Sequence, residues 1–469
     1  MTTRVEHIGK RISTNDYRSF LQSKAVRVIE RGLADVPPLN PVMFPFQRDC
    51  VAFLLRAGSG GLFLDTGLGK TLCELEWSKH AAAATNGRAL ILTPLAVAWQ
   101  IQREAERFGY NARVIRDGSN IRDGISICNY DRFDKIEPEA FGAVALDESS
   151  ILKNFTGKTA AALIAAFSGH RFKIAATATP APNDHLEIGQ HSDFLGVMPQ
   201  TEMLMRWFTH DSGETSVWRL KSHGETDFWD WMASWSRMAE RPSDLGDDDT
   251  GFILPPLNIK RHRAIGDRPV IGEGLFAEAA MNAATMHDIK RQTAKARADK
   301  AGELAMSDRE PWVLWVDTDY EADALKAACP AAVEIRGPMD TDRKEEILRG
   351  FADGDIRVLI TKPSITGHGL NWQHAARMAF VGRSFSYESW YQAVRRMWRF
   401  GQKRPVDIHL IVAEGEDAIG RVIDRKAEDH SRMKAAMTAA MGRARAADVL
   451  LKRPYEPTHK GRPPAWLSV

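Results

Sequence analysis

Gly61-Leu62-Phe63-Leu64-Asp65-Thr66-Gly67-Leu68-Gly69-Lys70-Thr71 decides the fold. A short apolar run ends in a glycine-broken turn. Lys-Thr follows, then a helical pattern from Leu72 to about Ala84. This is the order of strand, phosphate loop and helix. Gly67 and Gly69 let backbone N–H groups close around phosphate oxygens, and a helix N-terminus favours anions. Lys70 would reach the β- and γ-phosphates of a nucleotide, and the Thr71 hydroxyl would ligate Mg²⁺. The general pattern has glycine six residues before the lysine, and here that position is Leu64. A plain strand-turn-helix with a chance Gly-Lys-Thr is the bland alternative.

Working outward, strand and helix patterns alternate from Met43. Phe63–Asp65, Ala89–Thr93, Val114–Ile115, Ile125–Cys128, Ala143–Leu146 and Phe172–Ala176 read as strands. Helical patterns fall at Leu72–Ala84, Leu95–Phe108 and Lys158–Phe167. That alternation predicts an α/β fold with a parallel sheet covered on both faces. The alternation stops between about 190 and 300. Trp207, Trp218, Trp229, Trp231 and Trp235 crowd this span, and Trp229–Trp235 reads as helical. Tryptophans can stack on nucleic-acid bases, but packing against the sheet domain is the favoured expectation. Asp247-Asp248-Asp249 and Pro255-Pro256 mark a boundary, and Glu278–Lys300 reads as a helix leading onward. From Trp312 the alternation resumes. Strands are expected at Val313–Val316, Val333–Ile335, Val358–Ile360, Met378–Val381 and Ile408–Val412. Helices are expected at Asp319–Ala328, Thr341–Phe351 and Tyr387–Phe400, and a long Ala-rich helix broken near Gly442 follows Glu416. Residues 1 to 40 read as a basic arm, and Lys452–Val469 as a flexible tail.

The bulk numbers narrow the classes. At 469 residues the chain has room for two domains. Net charge is +2, so a nucleic-acid surface would be a local patch. Cys50, Cys73, Cys128 and Cys329 are scattered and suggest neither zinc nor a disulfide framework. No apolar run reaches membrane-spanning length, and the start carries no signal-peptide pattern. A cytoplasmic protein is the expectation.

Two further stretches carry chemistry. Val144-Ala145-Leu146-Asp147-Glu148 is an apolar strand ending in two acids. Asp147 would hold Mg²⁺, and Glu148 would orient or deprotonate an attacking water. Gln392-Ala393-Val394-Arg395-Arg396-Met397-Trp398-Arg399 lies on an expected helix of the second domain. Arg396 and Arg399, three apart, would share a helix face and could reach a nucleotide held by the first domain. A solvated basic face is the alternative.

Taken together these residues resemble the helicase superfamily 2 ATPases, in the Swi/Snf-type branch, in a compact bacterial or phage form. The resemblance runs from about Met43 to Asp417. Phe44-Pro45-Phe46-Gln47 resembles the adenine-reading glutamine motif, and Asp65–Thr71 resembles motif I. Leu92-Thr93-Pro94 resembles motif Ia, and Asp147–Asn154 resembles motif II with its Lys-Asn continuation. Thr177-Ala178-Thr179-Pro180 resembles motif III. Thr366-Gly367-His368-Gly369-Leu370-Asn371 resembles motif V. Gln392, Arg396, Arg399, Gly401 and Gln402 fall at the spacing of motif VI. Ser149-Ser150 and Trp398 depart from the branch, which usually has histidine at Ser150 and Trp398.

The resemblance implies two RecA-like parallel-sheet domains in tandem with a helical insertion between them. The first, an ATP-binding domain, would span 41–265, with a Trp-rich insertion at about 195–250. A helical linker would span 266–305, the second domain 306–420, and a helical and flexible tail 421–469. It implies ATP and Mg²⁺ as cofactors. Catalysis would fall to Lys70, Glu148, Arg396 and Arg399, and metal binding to Thr71 and Asp147. Nucleotide contacts would come from Gln47, Gly67, Gly69, Lys70, Thr71 and Gly369. Pro94, Gly337, Lys362 and Thr366 would touch nucleic acid, and Thr177, Thr179 and Gln392 would couple the domains. The implied activity is DNA-dependent ATP hydrolysis with translocation on duplex DNA and no membrane partner. A strand-separating DNA or RNA helicase and an ATP-gated DNA-binding switch are the alternatives.

Overall fold

The computed structural model describes residues 32–94, 97–153, 158–181, 184–210, 218–264, 283–366, 370–384, 386–413 and 417–446. The expected basic arm lies almost wholly outside these residues, and the expected tail Lys452–Val469 entirely so.

Apolar runs bounded by turns become strands buried on both faces. In the first half these are β1 (Ser59–Leu64), β2 (Arg88–Thr93), β3 (Ala112–Val114), β4 (Gly124–Asn129), β5 (Ala143–Asp147) and β6 (Phe172–Ala176). A small antiparallel pair, β7 (Phe208–His210) and β8 (Trp218–Leu220), stands apart from the sheet. With β9 (Ser236–Ala239), β1–β6 make a seven-stranded parallel sheet in the order β3-β4-β2-β5-β6-β1-β9. Side chains alternate between its two cores. Leu62, Leu64, Ile91 and Ala145 face one, and Phe63, Leu90, Leu92 and Leu146 face the other.

The second sheet holds β10 (Leu257–Ala264), β11 (Trp312–Trp315), β12 (Val333–Glu334), β13 (Val358–Thr361), β14 (Arg377–Phe380) and β15 (Val406–Ala413). Its order is β10-β15-β14-β11-β13-β12, again parallel. Two parallel-sheet domains in tandem are therefore present, as the motif order implies. No helix among the described residues is long and apolar enough to cross a membrane.

Four details differ from expectation. The Trp-rich insertion expected as helical at about 195–250 also holds a strand, because β9 within it joins the first sheet beside β1. Leu257–Ala264 was expected within the first domain, yet it pairs with β15 over its whole length. Its Lys260-Arg261-His262-Arg263 run hides it, since an edge strand carries charge toward solvent. The helix at Tyr387 stops at Val394 and does not reach Phe400. The segment 370–375 captures the carbonyls that would continue it. Trp372 N donates to Arg396 O at 3.0 Å, and the Gln402 amide, itself fixed on Gln373 O and Ala375 O, donates to Met397 O at 3.2 Å. The last helix, Asp417–Ala446, runs through Gly442 unbroken. An interior glycine costs a helix about 1 kcal/mol. Met433, Met437, Ala440 and Met441 offset it by packing into the first domain's core.

The tryptophans pack, as favoured. Trp229, Trp231 and Trp235 lie on the helix Glu225–Trp235 and are buried, as is Trp207. Trp231 sits 4.8 Å from Trp207 and 5.4 Å from Trp235, ring centre to ring centre. Trp231→Ala is expected to cost about 3–5 kcal/mol of stability, the usual loss for a truncated buried aromatic. Urea unfolding measures it, and a loss under about 1 kcal/mol would contradict the packing role.

Candidate active site

The loop after β1 follows the rule that open parallel sheets hold ligands at the carboxyl ends of their strands. Gly67 has φ +97° and Gly69 has φ +79°, left-handed conformations that favour glycine. A Cβ on Gly67 would strike Phe400 of the second domain, and one on Gly69 would strike the Gln47 amide. Leu64 needs no glycine. Its side chain is buried in the core, and its carbonyl accepts a hydrogen bond from Lys70 Nζ at 3.0 Å. Gln47 braces the loop. Its amide donates to Leu68 O at 2.8 Å, and its carbonyl accepts from Phe44 N at 2.9 Å.

The two acids follow β5. Thr93 donates to Asp147 Oδ2 at 2.7 Å. Burial, then the neighbouring Glu148, push the Asp147 carboxyl up to about 7. A divalent cation would reverse that shift. Asp147 and Thr71 line the same cavity and offer oxygen donors, which suits Mg²⁺ held jointly with phosphates. Among the described residues no His, Cys, Asp or Glu cluster could hold a metal unaided. Glu148 is the only non-glycine described residue with positive φ, at +51°. Strained backbone of this kind persists where surroundings over-determine it.

From Glu148 a line of hydrogen bonds crosses to the other domain. Thr177 donates to Glu148 Oε2 at 3.2 Å, and Thr179 N donates to Thr177 Oγ1 at 3.1 Å. Gln392 Nε2 then donates to Thr179 Oγ1 at 3.4 Å. The three expected coupling residues are thus brought together.

Arg396 and Arg399 face the cavity from the second domain, on the turn after the helix and not along its face. Each donates one N–H to Leu370 O, at 3.4 and 3.3 Å. Arg396 Nε and Nη2 and Arg399 Nε are buried with no acceptor. Burial pushes Arg396 down to about 9 even though Glu148 opposes it, and it lowers Arg399 as well. Buried cationic donors without acceptors call for an anion. The cavity is about 350 Å³, and Lys70, Thr71, Asp147, Glu148, Arg396 and Arg399 all line it. Phe252 and Phe400 stack at 4.5 Å at its rim, near Phe44.

Other expected residues are not gathered there. Gly369 lies outside the described residues. Pro94 directly follows β2 in the first domain, while Gly337, Lys362 and Thr366 lie in the second. Lys362 pairs with Asp319 at 2.7 Å, and Thr366 is buried with its hydroxyl on Lys362 O. Sequence reasoning gave no work to Asp65, Tyr391, Arg395, Lys434, Phe252 or Phe400. Only Asp65 and Arg395 stood inside quoted motifs, and nothing local signalled the others.

A family model for the helicase conserved C-terminal domain matches residues 310–401. A putative protein p41 of Acyrthosiphon pisum secondary endosymbiont phage 1 is 24% identical, with 85% of this chain and 98% of that protein covered. Mouse DNA annealing helicase and endonuclease ZRANB3 is 22% identical over 83% of this chain, which spans only 40% of that protein's length. The solved structure of S. cerevisiae Dbp5 bound to RNA and ADP BeF3 superposes with a TM-score of 0.54 at 11% identity, covering 84% of this chain and 93% of that one. That likeness shows the shared two-domain fold. The family match over residues 310–401 agrees with the helicase resemblance read from the motifs, and the superposition shows the two-domain fold which that resemblance implied.

Proposed function

We propose that the chain is a DNA-dependent ATPase that translocates on double-stranded DNA. One observation carries the catalytic half of this reading. Two arginines with buried donors lacking acceptors, from one sheet domain, face a lysine, a threonine and two carboxylates from the other. That is a transition-state cradle for phosphoryl transfer, built only when the domains meet. Lys70 neutralises the β- and γ-phosphates. Thr71 and Asp147 would hold Mg²⁺, which would supply charge neutralisation for the phosphates. Glu148 orients water, and Arg396 and Arg399 receive the charge that develops on the transferred group. The line Glu148–Thr177–Thr179–Gln392 ties the state of the water-orienting carboxylate to the second domain's position.

The nucleic-acid half rests on the helicase C-terminal domain and on what the similar proteins' names state: a DNA helicase in one case, an RNA complex in the other. A backbone-contacting ratchet would be salt-sensitive and largely indifferent to sequence. The test is the ATPase rate with duplex DNA, single-stranded DNA and RNA in parallel, beside a forked-duplex unwinding assay. Stimulation by duplex DNA without unwinding supports translocation. Unwinding favours the strand-separating helicase, and negligible turnover with saturating DNA favours a binding switch. Lys70→Ala is expected to lower turnover by about 10²–10³ or more, the cost of removing one transition-state donor. Wild-type turnover in that variant would remove the phosphate-loop assignment.

A further inference from the structure

Asp65, the first residue past β1, is buried at the foot of the phosphate loop, 7% exposed. Four groups converge on its carboxylate. Thr66 N donates to Oδ1 at 2.6 Å, and the Tyr391 hydroxyl donates to the same oxygen. Arg395 Nη2 lies 3.2 Å from Oδ2, and Lys434 Nζ lies 3.4 Å from it. Arg395 also donates to Thr66 O at 2.8 Å, so one guanidinium holds both the side chain and the backbone of the loop. Lys434 is itself fixed on Glu240 at 2.8 Å, just past β9. Burial opposes the Asp65 charge, but Arg395, Lys434 and the Tyr391 hydroxyl win and hold the carboxyl well below its usual range.

The partners come from far away in the chain. Tyr391 and Arg395 belong to the second domain, five residues and one residue before the cavity-facing Arg396. Lys434 lies on the helix Asp417–Ala446, which leaves the second sheet and packs on the first domain. Apolar groups could have filled this space at equal or better stability, because buried ion pairs repay their desolvation poorly. Their use here indicates positioning.

We propose that Asp65 anchors a latch: Arg395, Tyr391 and Lys434 grip it, and the grip holds the phosphate loop in its nucleotide-binding shape and slows nucleotide release. Lys434 is thus a positioning residue, and the C-terminal helix has a direct hand on the nucleotide. This rests on the nucleotide-site reading above. The consequence is kinetic. Any partner that lifts the Asp417–Ala446 helix opens the latch and releases product without touching the cavity.

The experiment uses the full chain and a fluorescent ADP analogue, with dissociation followed by chase. Lys434→Met is expected to speed dissociation by about tenfold or more, the size set by one buried charged contact. Lys434→Arg should restore most of the slow rate. Arg443→Ala is the control. It cuts the same helix's link to Asp230 at 2.6 Å, remote from the loop, and should leave dissociation unchanged. Asp65→Asn should speed dissociation at least as much as Lys434→Met, since it also weakens the Arg395 pair, and adding Lys434→Met to it should change little. Should Lys434→Met fail to fold, Asp65→Asn alone decides. Wild-type dissociation in the folded variants, or an Arg443→Ala rate equal to that of Lys434→Met, overturns the latch. Lys70→Ala separates the two levels. If it too binds the analogue normally, the nucleotide site has failed and the latch with it; if it loses binding while Lys434→Met behaves as wild type, only the latch has failed.

Discussion

Arg399→Ala is expected to lower ATP turnover by about 10³–10⁵, the range of an arginine finger in this chemistry, while ATP affinity changes far less. The side chain sits on the turn that follows Val394, held by a single hydrogen bond to Leu370 O, with Nε unpaired and buried. It therefore has a donor to give when charge grows on the transferred phosphoryl group. Glu104 of the first domain is the largest attraction opposing the burial that lowers it. Arg399→Lys should rescue little, since an ammonium lacks the planar fork. Stimulation by DNA should fall with turnover, because DNA would act by seating the second domain. ATP affinity, basal rate and DNA-stimulated rate are the three measurements. Unchanged stimulated turnover would reduce Arg399 to a packing residue.

Glu148→Gln should bind ATP and hydrolyse it about 10²–10⁴ times more slowly, the contribution of a positioned general base. The amide keeps the size of the side chain and can still accept from Thr177. Only the water-orienting charge is lost. Because Glu148 is tied through Thr177 and Thr179 to Gln392, the variant should also hold its two domains together longer once ATP is bound. Single-turnover kinetics checks the first effect. Loss of ATP binding in this variant would leave the base role unsupported.

The sheets were legible because their strands are apolar runs ending in chemistry. Phe172–Ala176 and Asp319–Ala328 match expectation to the residue. β9 was not legible. It has four residues, and it directly follows a tryptophan helix whose pattern swamps it. β10 was hidden by its charges. The residues of motifs I, II and VI do assemble around one cavity, and Thr177 and Thr179 of motif III join Glu148 to Gln392 beside it. The turn carrying Arg396 and Arg399 was misread as helix because the donor that captures the Arg396 carbonyl, Trp372 N, lies more than twenty residues upstream. The Asp65 latch could not be seen at all. The residues that grip Asp65 lie 326 to 369 positions from it, and Lys434 looks like any lysine of a mixed-charge helix.

The place of β1 in its sheet has a consequence for synthesis. It lies between β6 and β9, and it pairs with no strand made before them. Its last neighbour begins at Ser236, whereas β1 itself begins at Ser59. At about 5–20 residues per second, the ribosome delivers that neighbour roughly 10–35 s after β1. During this interval the strand bearing the phosphate loop has a bare edge, with its N–H and C=O groups open to foreign pairing. Among the described strands that end with two neighbours, β1 waits longest for its second, and a fragment released before Ser236 would keep that edge for good.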